Sequence, residues 1–336
     1  MWETTKLEEL TEKSLVKDLG RTKGREKFSH YLYARQRVVE QVLPEIKSIQ
    51  PELTDHGEVH IANVLENSER LLGKAAIKFS GMDLYCLLMA ILFHDVGNIF
   101  DREEHQRNIS SIYQFARPDA HNFRQEQQIV MRAVGAHCGK AIDGSKDTLK
   151  YLNDEHLDRK KVRLQEISSV LRFADELAEG PQRTSLFMNQ FYPYSDSSEI
   201  YHNYASITSV NIDRGNERIA LTFNFNIFNN SDDGSVSSEK TNSLSSLIEF
   251  CFKRIIKLDQ ERKYAKHYCD LLAPFKKTTI AFNFWINDQP YDLGLNKLIL
   301  TDLVIPGEVH KELIEIDSEY SVVNIISKIK RQCEIL

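Results

Sequence analysis

The sequence predicts an α+β protein that is mainly α-helical, in which a helical bundle is followed by a smaller region with a β-hairpin, a long helix and a further strand. Apolar residues recur with helical spacing over about 26–185, and the pattern then changes to strand-like alternation over 205–212 and 218–227. An uninterrupted apolar run over 84–93 is too short to cross a bilayer, so it indicates a buried core helix.

The helical part divides into several predicted elements. A capping box at 55–58 is expected to begin a helix that runs to about Leu72. The other predicted helices are the core helix that ends at His94, and segments 103–116, 123–136 and 162–179. Gly180 and Pro181 end the last of these helices, because neither residue continues a helix well.

The second part of the chain has a different character. The alternating segments 205–212 and 218–227 predict a hairpin across the turn residues 213–216, followed by a loop over 229–243. A long amphipathic helix is predicted over 244–272 and a strand over 278–285, while 293–336 shows no clear pattern. The expected domains are an N-terminal arm at 1–25, as a surface helix or a mobile segment, a bundle at 26–187 and a C-terminal region at 188–336.

Composition limits the class of protein. The chain has 336 residues, of which 41% are hydrophobic and 27% charged, so a sizeable core is expected. The net charge of −6 argues against a protein that coats nucleic acid. The five cysteines include no Cys-x-x-Cys pair, which favours reduced thiols and a cytoplasmic location. The polar N-terminal residues do not resemble a signal peptide, and no membrane association is expected.

His94 and Asp95 end the core helix and are the strongest candidates for chemistry. Burying an imidazole and a carboxylate is costly unless they find partners. His60 on an earlier predicted helix and Asp175 at the edge of a later helix supply such partners. Mixed imidazole and carboxylate ligands suit divalent Mn, Fe, Mg, Ni, Co or Zn, so one or two such ions are the predicted cofactor.

Three segments carry a resemblance to the HD superfamily of metal-dependent phosphohydrolases. Segment 60–64 resembles its first-helix pattern, 93–97 resembles the His-Asp motif, and 171–175 resembles its last-helix motif. The resemblance covers about 50–185. It implies an all-α bundle around a metal centre with His60, His94, Asp95 and Asp175 as ligands. If two metals bind, Asp95 is the natural bridging ligand.

His105 and His137 extend this set. Their order resembles HD subfamilies with an expanded site, including the HD-GYP group, and implies catalytic roles beside His94, Asp95 and Asp175, with a second metal or the substrate as their partner. The Gly-Tyr-Pro element of that group is absent, which argues against a cyclic-dinucleotide esterase. Cys138 follows His137, but adjacent residues on a helix do not face each other, so a nucleophilic thiol is not predicted.

Four residues are candidates for substrate binding. His56 precedes His60 by one helical turn, so either histidine can be the ligand, and the spacing to Val64 favours His60. Asn98 stands where many HD enzymes carry lysine; its amide can bind a phosphate oxygen but supplies no charge. The missing cation is expected from Lys140, Arg172 or Arg183. Arg183 is favoured because it lies about two turns past Asp175, beyond the helix stop, and a guanidinium suits bidentate phosphate contact.

Three functions follow from these residues. The first is hydrolysis of a nucleotide or small phosphoester, as a nucleotide phosphohydrolase or phosphodiesterase. The second is a metal-dependent nuclease on single-stranded nucleic acid, steered by basic residues in the long helix. The third is a nucleotide-sensing module with weak turnover. The C-terminal region is expected to serve as a pocket lid, as an oligomer contact or as a dock for a protein partner.

Overall fold

The computed structural model describes residues 2–100, 102–103, 105–118, 123–191, 194–228, 238–302 and 312–333. It confirms the mainly helical α+β fold. The chain forms two compact units. The first consists of Met1–Ala178 and Tyr264–Pro274, and the second of Glu179–Lys263 and Phe275–Leu336.

The first unit is a helical bundle with one small hairpin. Its elements are α1 Lys6–Leu19, α2 Arg21–Gln41, α3 Leu43–Ile49, α4 Glu58–Leu72, α5 Gly81–Phe93, α6 Ser110–Ala116, α7 Phe123–Gly135, β1 Glu155–Leu157, β2 Lys160–Val162 and α8 Leu164–Glu176. The predicted core helix is confirmed, because every residue of α5 is buried. Ser80 and Asp83 form a capping box that fixes where α5 begins.

One described stretch, Gly81–Ile99, is long and apolar enough to cross a membrane by length and composition alone. Its most apolar window is 94% buried inside the fold, as expected for the central helix of a bundle. This stretch is therefore weak support for a membrane span.

Helix α1 is part of the bundle. Leu7 and Leu15 on α1 are buried, and the helix packs on α2 and α5 at very close range. A Cβ atom on Gly24 or Gly81 would lie 2.5 Å from a backbone nitrogen of α1. Helix α1 can therefore lie this close to α2 and α5 only because both residues are glycine. For residues 1–25, the structure therefore shows a docked helix over Lys6–Leu19.

A buried carboxylate ties the bundle together. Glu126 on α7 is fully buried and accepts hydrogen bonds from Lys27, Tyr85, Tyr113 and Arg117. Burial opposes ionisation of Glu126, but Lys27 and Arg117 outweigh it and lower its pKa to about 2. This arrangement satisfies a charge that would otherwise be costly to bury.

Several predicted helix boundaries shift. The capping box at 55–58 is wrong, because Gly57 caps α4 and the Asp55 carboxylate accepts the backbone N–H of His60 at 3.1 Å. Among the described residues of the predicted helix 103–116, only Ser110–Ala116 are α-helical, preceded by a 3₁₀ turn at His105–Arg107. The predicted helix 162–179 begins at Leu164, after strand β2, and ends at Glu176.

The second unit contains a five-stranded sheet. Its elements are α9 Leu186–Phe191, α10 Asp196–Ile207, β3 Thr208–Asp213, β4 Arg218–Ile227, most of α11 Ser238–Tyr268, β5 Lys277–Ile286, β6 Gln289–Tyr291, β7 Leu298–Thr301 and α12 Val322–Cys333. The predicted hairpin is confirmed, with Val210 opposite Leu221 in an antiparallel pair. Strand β4 also runs parallel to β5, with Leu221 opposite Ile280.

Other boundaries in this unit differ from the prediction. The first hairpin strand begins at Thr208, because 205–207 belong to α10. Helix α11 begins at Ser238, so the predicted loop is wrong for 238–243, and 229–237 lie outside the described residues. The helix ends at Tyr268 rather than 272. Strand β5 confirms the predicted strand 278–285.

We expect Gly81→Ala to lower the free energy of unfolding by about 1–3 kcal/mol, because the added methyl group meets the α1 backbone. Gly135→Ala is the matched control: no atom lies within 4 Å of the new Cβ, and stability should hold or rise by about 0.5–1 kcal/mol. Urea denaturation of both variants measures the difference. Equal stability would contradict the docking of α1.

Candidate metal centre

Three helices bring four predicted ligands together. His60 lies on α4, His94 caps the C-terminus of α5 and Asp95 follows it, and Asp175 lies on α8. One donor atom from each lies within 4.8 Å of the others. Asn67 on α4 donates to the backbone carbonyl of Ala174 at 3.0 Å, which fixes α8 beside α4 next to Asp175.

The Nε2 atoms of the two histidines lie 3.1–3.5 Å from each other and from the carboxylate oxygens of the two aspartates. His60 Nε2 and His94 Nε2 are 3.1 Å apart. Asp95 Oδ2 lies 3.1 Å from His94 Nε2 and 3.2 Å from His60 Nε2, and Asp175 Oδ1 lies 3.3 Å from His60 Nε2 and 3.5 Å from His94 Nε2. Ligands at about 2.0–2.2 Å from one ion stand about 3.0–3.5 Å from each other. These four residues therefore fit a divalent metal.

The histidine orientations favour ligation. His94 Nδ1 faces the carbonyl of Ile91 at 2.8 Å, so Nδ1 donates its proton there and Nε2 faces the cluster. Burial opposes protonation of His94, but Asp95 and Asp175 outweigh it and raise its pKa well above the usual range. Burial likewise opposes ionisation of both aspartates, yet the neighbouring histidines hold the pKa of each carboxyl well below its usual range.

Asp95 also faces a second group of donors. Its Oδ1 atom lies 3.3 Å from His105 Nε2 and 3.9 Å from His137 Nε2, and these two nitrogens are 3.3 Å apart. His105 Nδ1 faces the carbonyl of Arg102 at 2.8 Å, and His137 Nδ1 faces that of Val134 at 2.5 Å. The structure thus brings the two additional histidines to the predicted site, on the far side of the shared carboxylate.

Sequence reasoning missed Cys138. Its Sγ atom lies 3.7 Å from His105 Nε2 and joins His105 and His137 in one cluster. The expectation that His137 and Cys138 point apart was wrong, because α7 ends at Gly135 and both residues lie in the turn that follows. The glycine at 139 was the available sequence signal, because the turn ends there at a φ of +79°, a conformation that favours glycine.

The electrostatics of this second cluster are strongly perturbed. Burial opposes protonation of His105, but its hydrogen bonds to Asp95 and Cys138 outweigh it and raise its pKa to about 10. Burial opposes ionisation of Cys138, yet His137 and His105 outweigh it and lower the pKa of the thiol to about 6. Such opposed shifts are typical of functional sites.

Gly97 and Asn98, which follow the His-Asp pair, shape its surroundings. A Cβ atom on Gly97 would lie 1.9 Å from the carbonyl oxygen of His105, so glycine lets the His105 segment pass close to Asp95. The buried Asn98 side chain donates its amide to the Asp95 carbonyl at 2.9 Å. Asn98 therefore positions Asp95, and its predicted contact with substrate stays a prediction.

The remaining predicted substrate-binding residues lie in different places. His56 precedes α4 rather than starting it, and its Nε2 atom lies 3.9 Å from Asp95 Oδ2, outside the four-residue cluster that contains His60. Lys140 is exposed in the segment after Cys138. Arg183 is buried in the second unit, 4.0 Å from Glu179. Substrate contacts of all three stay predictions.

The HD-CE family model matches residues 50–234, more than half of the chain. The chain belongs to the HD-CE family. This confirms the resemblance to HD-type proteins, and the cluster around Asp95 fits an HD-type metal site. No curated protein and no solved structure matches this HD-CE chain. Family and cluster together suggest a metal-dependent hydrolase.

We expect the apparent metal affinity of this HD-CE protein to rise with pH, by about tenfold per pH unit for each proton that the ion displaces. His105, with its raised pKa of about 10, is protonated at neutral pH and must lose that proton to bind metal. Chelator competition between about pH 6 and pH 9 measures the slope. His105→Asn should reduce it, and a slope of zero in the parent protein would contradict the expectation.

We expect Asn98→Ala to weaken metal binding by about 10–100-fold, because it removes the donor that holds the Asp95 backbone. Isothermal titration with Mn²⁺ measures the change, and circular dichroism reports whether the chain is folded. Asn63→Ala is the matched control, because that amide bonds only within the exposed side of α4. Equal affinities in the two variants would contradict the positioning role.

Proposed function

We propose that this protein is a metal-dependent phosphohydrolase that cleaves a phosphoester or phosphoanhydride bond of a nucleotide with an activated water. One observation carries the proposal. The two oxygens of Asp95 face two separate groups of donors, His60 and His94 on one side and His105 and His137 on the other. A carboxylate placed this way can hold two cations at the spacing that hydrolytic sites use.

A divalent ion at this centre supplies a water of lowered pKa and positive charge for the phosphate oxygens. The chain's own residues prepare for this. Ile91, Arg102 and Val134 offer carbonyls that hold Nδ1 of three histidines, so each Nε2 atom is directed at the centre without rearrangement. Asp95 and Asp175 stay ionised and provide the negative charge that balances the cations.

Exposure distinguishes the closed side of the centre from the open side. The side chains of His60 and His94 are fully buried, whereas those of Asp175, His105 and His56 are 25%, 16% and 18% exposed. A phosphate must therefore approach past these three residues. We infer that His56, beside Asp95 but outside the four-residue cluster, contacts the phosphate or the leaving group.

The nuclease alternative gains no support from the arginines of α11. Arg262 is fully buried, Lys253 pairs with Glu249 at 2.6 Å, and Lys263 pairs with Asp259 at 2.8 Å. Arg254 pairs with Glu179 at 2.9 Å. The arginines are buried or paired and are less available to a phosphate backbone, whereas Lys253, with a side chain that is 72% exposed, is only weakly held by Glu249. A small nucleotide substrate remains the proposal.

The test is a product analysis with purified protein and Mn²⁺ against deoxynucleotides, ribonucleotides, cyclic nucleotides and short oligonucleotides. We expect release of phosphate, pyrophosphate or triphosphate from a mononucleotide, or opening of a cyclic one. Asp95→Asn should lower the rate by at least about 10³-fold, because it removes the charge of the carboxylate that both groups of donors face. Asp154→Asn, at an exposed carboxylate paired with Lys161, is the control and should leave the rate unchanged.

The other outcomes have definite meanings. Shortened oligonucleotides with intact mononucleotides would replace the proposal with the nuclease. Tight nucleotide binding without turnover in the metal-loaded protein would replace it with the sensing module. Equal rates for the parent protein and Asp95→Asn would show that Asp95 takes no part in the reaction.

A further inference from the structure

We propose that His105, His137 and Cys138, together with Asp95 Oδ1, form a sulfur-containing metal site that takes Zn²⁺, or Fe²⁺ or Co²⁺, in preference to Mg²⁺ and Mn²⁺. The inference rests on the proposed metal centre, and it assigns the chemistry of the second position. The two positions would then differ in their preferred ions.

The distances match a tetrahedral site of mixed donors. Zinc binds nitrogen at about 2.0–2.1 Å and sulfur at about 2.3 Å, so the donors of one ion stand about 3.3 Å (N to N) and about 3.6 Å (N to S) apart. Here His105 Nε2 lies 3.3 Å from His137 Nε2 and 3.7 Å from Cys138 Sγ. Asp95 Oδ1 lies 3.3 Å from His105 Nε2 and 3.9 Å from His137 Nε2, so it stands beside this three-residue cluster as the fourth donor that we propose.

The backbone holds His137 and Cys138 toward the same point. The turn after α7 is fixed at Ala136, whose carbonyl accepts the Thr148 hydroxyl at 2.6 Å and the Arg172 guanidinium at 3.3 Å. Both Thr148 and Arg172 are buried, so this anchor is shielded from water. The His137 side chain is only 2% exposed, yet its Nε2 atom faces the cluster rather than the packed interior.

Ligand softness separates the two positions. His60, His94, Asp95 and Asp175 offer nitrogen and oxygen, a set that tolerates Mn²⁺ and Mg²⁺ as well as later transition metals. A thiolate in place of one oxygen disfavours the hard ions Mg²⁺, Ca²⁺ and Mn²⁺ and favours Zn²⁺ and its neighbours. The chain therefore carries, on either side of Asp95, one permissive position and one selective position.

The experiment is a titration of the metal-free 336-residue chain with Co²⁺, followed by absorption spectroscopy. We expect a near-ultraviolet sulfur-to-cobalt charge-transfer band that saturates with one equivalent of ion and is bleached by Zn²⁺ but not by excess Mg²⁺. Cys138→Ser should abolish this band and weaken binding of one Zn²⁺ equivalent by at least about tenfold. His105→Asn should weaken the same equivalent, so the test does not depend on one variant.

Two controls separate this inference from the proposed function. Cys251→Ala changes a buried cysteine of the second unit and should keep the band. Asp175→Asn should weaken the other equivalent and also keep the band. If metal binds but the band is missing, or persists in Cys138→Ser, the sulfur site is overturned and the phosphohydrolase proposal stands. If the protein binds no divalent ion, both proposals fail.

Discussion

The shared carboxylate of Asp95 is the constraint on which the first unit depends. It lies at the end of a fully buried helix, where a charge is costly unless every oxygen is used. Each of its oxygens faces imidazole nitrogens, and the Asn98 amide holds its own backbone carbonyl. Helix α4 contributes the buried His60 and helix α8 contributes Asp175, so the packing of these helices also brings the predicted ligands together.

The predicted ligands also stabilise one another's charged forms. The raised pKa values of His94 and His105 and the lowered pKa values of Asp95 and Asp175 follow from the close pairing of imidazoles with carboxylates. An ion that binds here competes with protons for groups that already lie close together. This preorganisation lowers the entropic cost of binding and links metal affinity to pH.

Glu126 is a second buried carboxylate, and its role is structural. Glu126 accepts hydrogen bonds from two tyrosines, a lysine and an arginine of the same bundle. Its partners are permanent cations and hydroxyls, which satisfy a charge but do not bind metal. The contrast shows how partner chemistry separates a structural carboxylate from one suited to ligation.

The sequence alone predicted the cluster of His60, His94, Asp95 and Asp175, because helical periodicity places these residues at the ends or edges of apolar faces and their order resembles the HD motifs. It also determined the buried α5, the hairpin and β5, since each has a local hydrophobic pattern.

Tertiary structure decided the rest. Cys138 lies beside His105 only because of the turn after α7. Gly97 is required because the His105 segment passes over it. The docking of α1 likewise depends on glycines of α2 and α5. Contacts of this kind depend on backbone paths that separate segments take through space, which local periodicity does not encode.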